Sequence, residues 1–168
     1  MFKATHRNNR GFSLIELVIV VVIIGIIAAI AIPRMSRGAE GAREGAVRAN
    51  LSVLRNALEL YRAEHNDAWP PFIGLVDHLT GYSTEDTTAA QQTKDTAAIP
   101  PIFLGPYIKA IPALPVGTNK GSAAFADGDS AVLGAGAEGW WYKASTGELR
   151  ANLLAADADS AGVAYNTY

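Results

Sequence analysis

The chain has 168 residues, 49% of them hydrophobic and 18% charged, with 14 Lys+Arg against 16 Asp+Glu and no cysteine. That length suits one domain with accessories, and the near balance of charge disfavours nucleic acid as the main partner. Zero cysteines exclude a disulfide scaffold, a thiolate zinc site and a cysteine nucleophile. Met1 to Arg10 is polar, with Lys3, Arg7 and Arg10 and no acid. From Phe12 to Ile32 only Ser13 and Glu16 carry polar side chains. As a helix this run spans ~32 Å, close to the ~30 Å hydrocarbon core of a bilayer. The basic flank predicts a cytoplasmic N-terminus with the remainder translocated. From Asp67 onward eleven acids face five bases, which suits an extracytoplasmic surface.

A secretory signal peptide is the first competing explanation, since Ala29-Ile30-Ala31 mimics a cleavage site. Two features oppose it. The helical pattern continues through Pro33 into residues 34 to 64, and Glu16 places a carboxylate near the start of the apolar run. Such a group is costly in a membrane span and reads as functional.

Gly11-Phe12-Ser13-Leu14-Ile15-Glu16-Leu17 resembles the processing site of type IV pilins and type II secretion pseudopilins. The resemblance implies that a prepilin peptidase cuts between Gly11 and Phe12 and that the new N-terminal Phe12 is N-methylated. It implies polymerisation into a helical homopolymer, with Glu16 pairing with the Phe12 amine of a neighbouring subunit during assembly. The physics agrees: a charge left unpaired beside lipid is expensive, so amine and carboxylate each favour a partner. The implied setting is a single pass through the inner membrane, followed by a filament in the periplasm or at the cell surface. The further implied partners are minor pseudopilins or pilins and an inner-membrane assembly platform. No Walker lysine motif is present, so the ATPase would be a separate protein. Gly25 and Pro33 bracket a weak stretch of helix, because glycine is a poor helix former and proline lacks an amide hydrogen. Related filaments are similar in unwinding there after assembly.

From Arg34 to Glu64 the pattern stays helical. Val47, Leu51, Leu54, Leu58 and Tyr61 form an apolar stripe at spacings 4, 3, 4 and 3. Arg48, Arg55 and Arg62 repeat every seven residues, with Glu44–Arg48 and Arg55–Glu59 at i,i+4. The preferred reading is a solvated face with helix-supporting pairs; DNA or acidic neighbouring subunits are the alternative. Asn66, Asp67 and Pro70-Pro71 end the helix.

The expected fold is therefore α+β and type IV pilin-like: a long N-terminal helix packed on a small C-terminal antiparallel β-sheet. The expected parts are a leader at 1–11, a transmembrane and polymerisation helix at 12–33, its amphipathic continuation at 34–66 and a globular region at 67–168. Ser83 to Ala98 reads as a low-complexity loop. Gly139-Trp140-Trp141-Tyr142-Lys143, then Thr146-Gly147 and Glu148 to Asn152, read as a hairpin. Its aromatic cluster is expected in the core rather than on a sugar or a partner. Tyr61 to Pro70, Gly105-Pro106-Tyr107 and Gly139 to Asn152 also resemble the globular part of the major pseudopilin of type II secretion. Lack of a C-terminal cysteine pair fits that member better than many type IV pilins.

Other motifs carry less. Gly134-Ala135-Gly136-Ala137-Glu138-Gly139 matches a dinucleotide fingerprint but runs into the hairpin instead of opening a helix. His65 and His78 sit in no metal or triad spacing. Major pseudopilins commonly bind calcium near the C-terminal sheet, which makes Asp127 and Asp129 the calcium candidates, with Glu138, Asp157 and Asp159 as further acids. The family's loop pattern does not align there, so a solvent-facing turn is preferred. The resulting reading is a structural subunit of a type II secretion pseudopilus, not an enzyme. A type IV pilus subunit for adhesion, motility or DNA uptake is the alternative. A membrane-anchored extracytoplasmic enzyme or ligand-binding module is the alternative from another class, and it would need a convergent polar site.

Overall fold

The computed structural model describes residues 12–84, 90–91 and 104–168, with backbone alone for 32–37 and 90–91. Helix α1 runs from Leu14 to Glu64. The chain divides into two compact units inside that helix, Met1–Ala39 and Glu40–Tyr168.

In the first unit, Leu14–Ala31 has a mean hydropathy of 3.2, and none of it is buried. It is the one helix among the described residues long and apolar enough to cross a membrane. Its backbone is helical at Gly25 and Pro33 alike.

In the second unit, Val47, Leu51, Leu54, Leu58 and Tyr61 are all buried, so the predicted stripe faces the core. Asn66 and Asp67 then take left-handed backbone at φ 52° and 64°. The Asp67 amide donates to the Arg62 carbonyl at 3.1 Å, which closes the helix end, and Pro70-Pro71 prevents its resumption. Helix α2, Leu75–Thr80, follows. Strands β1 (Tyr82–Ser83) and β2 (Ala90–Gln91) then pair antiparallel, a short ribbon where a loop was expected.

Strands β3 (Phe125–Asp127), β4 (Trp140–Lys143) and β5 (Glu148–Ala151) make the main sheet. The hairpin is as predicted: β4 and β5 are antiparallel, with Trp140 opposite Ala151 and Tyr142 opposite Leu149. The expectation of a wholly antiparallel sheet is corrected, because β3 lies parallel to β4. Parallel neighbours need a crossover of about a dozen residues, and residues 128–139 supply it. That crossover also explains why three successive strand residues, Trp140, Trp141 and Tyr142, are all buried. Trp140 and Tyr142 enter the core with Leu149 and the α1 stripe. Trp141 points to the other face, where its indole N–H donates to the Ala131 carbonyl at 3.0 Å. Gly128 lies against that indole so closely that a Cβ there would fall 2.8 Å from it. The buried aromatic polar groups are satisfied, since Trp140 Nε1 donates to the Pro112 carbonyl and Tyr142 Oη to the Pro70 carbonyl, both at 2.8 Å. A long apolar helix with a small mixed sheet fits a pilin-like α+β fold.

Candidate functional site

The site is built at the start of α1. Phe12 and Ser13 precede the helix, and Ser13 occupies its N-cap. The Leu17 amide donates to the Ser13 carbonyl at 3.2 Å, the first bond of the helix. Glu16, at the third helical position, reaches back, and its Oε2 accepts the Ser13 amide at 3.2 Å. This is half of a capping box, and it puts a carboxylate at the positive end of the helix dipole. The sequence pattern Ser-x-x-Glu carried that signal, and the reading of Glu16 as an assembly residue passed over it. Gly11 lies outside the described residues. Beyond this cap the apolar side chains have no cover: Phe12 is 85% exposed and Leu14 83%. Glu16 therefore stands at the edge of a surface that water does not stabilise. A Cβ at Gly25 would meet nothing within 4 Å, so that position leaves room for close approach by another helix.

The other candidates are drawn into the globular unit. Asp127 accepts the Asp129 amide at 3.1 Å and the Ser130 hydroxyl at 2.8 Å, which makes it the cap of a turn. Asp129 accepts the Ser145 amide at 3.0 Å and also the Ser145 hydroxyl. Those bonds hold the Asp129 carboxyl below its ordinary range. Among the described residues no group of three His, Asp or Glu is placed to hold a metal ion.

In the row Arg48, Arg55 and Arg62, the last keeps a helix-supporting pair with Glu59 at 3.9 Å, as the preferred reading expects, while the first two differ from both readings. Arg48 donates to the Tyr168 hydroxyl at 2.7 Å and pairs with Asp159 at 3.2 Å. Tyr168 in turn donates to Asp159, whose carboxylate also accepts the Ala161 and Val163 amides at 2.9 and 2.8 Å. The Tyr168 bond and these amides lower the Asp159 pKa. Arg55 donates to the Leu149 carbonyl at 2.8 Å and to that of Tyr168. Arg62 lies over the Trp69 ring and pairs with Asp67 at 3.3 Å. Glu44 does not serve as the expected i,i+4 partner but accepts the Ser160 amide at 2.7 Å. Arg48, Arg55 and Glu44 bind the C-terminal segment to α1, because tertiary partners in fixed positions outcompete exposed helix pairs worth a few tenths of a kcal/mol.

His65 and His78, unrelated by spacing, meet around Tyr61. His65 stacks on the Tyr61 ring at 3.7 Å; its Nδ1–H donates to the Tyr61 carbonyl at 2.7 Å, and Nε2 accepts from the Ser83 hydroxyl at 2.8 Å. His78 Nδ1 lies 3.4 Å from the Tyr61 hydroxyl, and burial lowers its pKa, with His65 adding to the effect. The pair fastens α2 and β1 to the end of α1. The glycine motif at 134–139 wraps Asn152, whose amide bonds the Gly134 N–H and the Ala135 and Glu138 carbonyls. A cavity of about 430 Å³ is lined by Glu40, Arg43, Lys120 and Asp157 along with Glu44 and Asp159, the last two committed to the bonds above.

Residues 6–32 match the prokaryotic N-terminal methylation motif. The chain carries a type IV pilin-like prepilin signal. That motif implies prepilin peptidase processing and pilin-type assembly, and it belongs to structural subunits. It supports the pilin and pseudopilin group broadly and is consistent with a single-pass membrane anchor. No curated protein and no solved structure matches the chain.

Proposed function

We propose that this chain is the major, repeating subunit of a pseudopilus in a type II secretion system, exporting proteins across the outer membrane. The observation that carries the filament reading is the apolar helix Leu14–Ala31, none of it buried, with Glu16 bonded at its head. Cutting between Gly11 and Phe12 creates an ammonium four residues before Glu16. Among the described residues the Glu16 carboxylate accepts a neutral amide N–H, a bond worth about 0.5–1.5 kcal/mol net. A neighbouring subunit's ammonium offers a charge-assisted bond roughly twice as strong. Docking thus exchanges a weak internal partner for a stronger external one and aligns each subunit on the last. The apolar helices leave the bilayer together and bury one another, and the Gly25–Pro33 stretch is their weak point under load. The assembly platform, its ATPase and minor pseudopilins act from outside this chain.

The secretion assignment draws on the three segments that resemble the major pseudopilin, which meet in one globular unit. Tyr107 Oη donates to Glu64 at 2.7 Å, and Tyr142 of the hairpin donates to Pro70. The absence of cysteine supports the same choice. Deleting the gene should leave exported proteins in the periplasm while surface motility and DNA uptake persist; the reverse pattern would assign the chain to a type IV pilus. Intact-mass measurement of sheared filaments should find a chain starting at methylated Phe12. A retained Met1, or a start near Pro33, would refute the processing.

A further inference from the structure

His65 and His78 both lie inside the globular unit, 0% and 4% exposed. They grip one ring from two sides: His65 stacks on Tyr61, and His78 stands edge-on to it at 5.6 Å between centroids. Their fastenings differ. His65 follows directly on α1, and its Nε2 holds Ser83, whose backbone is tied to Leu104 in both directions at 2.9 and 3.2 Å. Strand β1 is thus pegged to the helix end by a ring with both nitrogens bonded. His78 rides instead on α2, six residues set between Gly74, left-handed at φ 77°, and Gly81. Its polar contact with α1 is the long 3.4 Å approach of Nδ1 to the Tyr61 hydroxyl. Leu75 and Leu79 add apolar contact, and the Leu79 carbonyl accepts the Tyr107 and Ile108 amides at 3.0 and 3.1 Å.

A charge on His78 upsets this balance. An imidazolium needs water or acceptors, and a ring so buried, facing a hydroxyl and a second histidine, has little of either. Among the described residues the titratable groups around it are Tyr61 and His65 from α1 and Asp77 from α2 itself; Glu64, at the end of α1, is engaged by the Tyr107 hydroxyl. Asp77 favours the charge, but it travels with α2, so its attraction does not oppose an outward swing. We propose that α2 is a proton-released lid: protonation of His78 frees Leu75–Thr80 to swing out about Gly74 and Gly81 while His65 keeps β1 in place. Opening uncovers Tyr61 and Leu79, 0% and 1% exposed when closed, and leaves the β3–β5 sheet folded. In the extracytoplasmic setting proposed above, the lid meets the pH of the surroundings rather than that of the cytoplasm. Its working does not depend on filament formation. Released, His78 regains a pKa near 6.5, whereas burial lowers it in the closed lid. Closure is therefore at full strength above pH 6.5 and weakens as pH falls, by up to about tenfold in the opening equilibrium between pH 7.5 and 5.5.

Amide hydrogen exchange of the full chain in detergent, corrected for the intrinsic pH dependence of exchange, measures the opening. The His78 amide, bonded to the Gly74 carbonyl, and the Gly81 amide, bonded to that of Asp77, should lose up to about tenfold in protection from pH 7.5 to 5.5. The Trp140 and Asn152 amides, bonded to the Ala124 and Gly139 carbonyls, should keep theirs. His78→Asn should remove the pH response of α2. If that variant does not fold, the titration of the wild-type His78 ring by NMR takes its place. A midpoint below 6.5 that coincides with the loss of α2 protection supports the lid, and a midpoint at or above 6.5 overturns it. Unchanged α2 protection across the range, an equal loss in the sheet, or a full pH response in His78→Asn also overturns it.

Discussion

Leu54 and Val53 are adjacent on α1 and face opposite fates. Leu54 is fully buried against the sheet, whereas Val53 is half exposed. Leu54→Ala removes a packed isobutyl group and leaves a cavity that rigid neighbours such as Trp140 and Tyr142 cannot close, at a cost of about 2–5 kcal/mol. The second unit holds roughly 130 residues, for which a total stability of about 6–20 kcal/mol is typical. Its unfolding entropy of about 0.27 kcal/mol/K converts that loss into a fall of about 7–18 °C in Tm. Val53→Ala should stay within about 0.5–1 kcal/mol, or 2–4 °C, because little of that side chain packs in the single subunit. Thermal unfolding of detergent-dispersed mature protein, followed by fluorescence of the buried Trp140 and Trp141, measures both. Equal losses for the two variants would refute the facing of α1 and the core built on it.

Glu16→Ala should leave the subunit inserted and folded but largely abolish filament incorporation; equal sheared-filament yield from variant and wild type would refute the pairing. Gly128→Ala should lower stability by about 1–3 kcal/mol, since its Cβ would overlap the Trp141 ring, with a urea midpoint as the readout. Burial depresses the His78 pKa, so the unfolded chain takes its proton near pH 6.5 and the folded chain only at lower pH. Stability is therefore complete above pH 6.5 and declines as pH falls towards the folded value. Urea midpoints at pH 7.5 and 5.5 should show a drop that His78→Asn reduces.

The sequence by itself determined the helix, its buried stripe, its stop at Asn66–Asp67, the β4–β5 hairpin and the N-terminal methylation motif. Each of these is local: periodicity, a turn residue or a motif within a few positions fixes it. Even the Glu16 cap was legible, since Ser13 stands three residues before it. What only the tertiary structure decided depends on residues far apart. The parallel placement of β3 came from a crossover with no periodic signature, and the same loop buried Trp141 on the face that alternation would leave open. Arg48 met Asp159 and Tyr168 across more than a hundred residues, and His65 met His78 around Tyr61 through the packing of α2. A charged or polar side chain on a helix has the same local pattern whether water or a distant partner satisfies it. Only the folded chain chooses, because only there does the buried Asp159 carboxylate come within reach of the exposed Arg48.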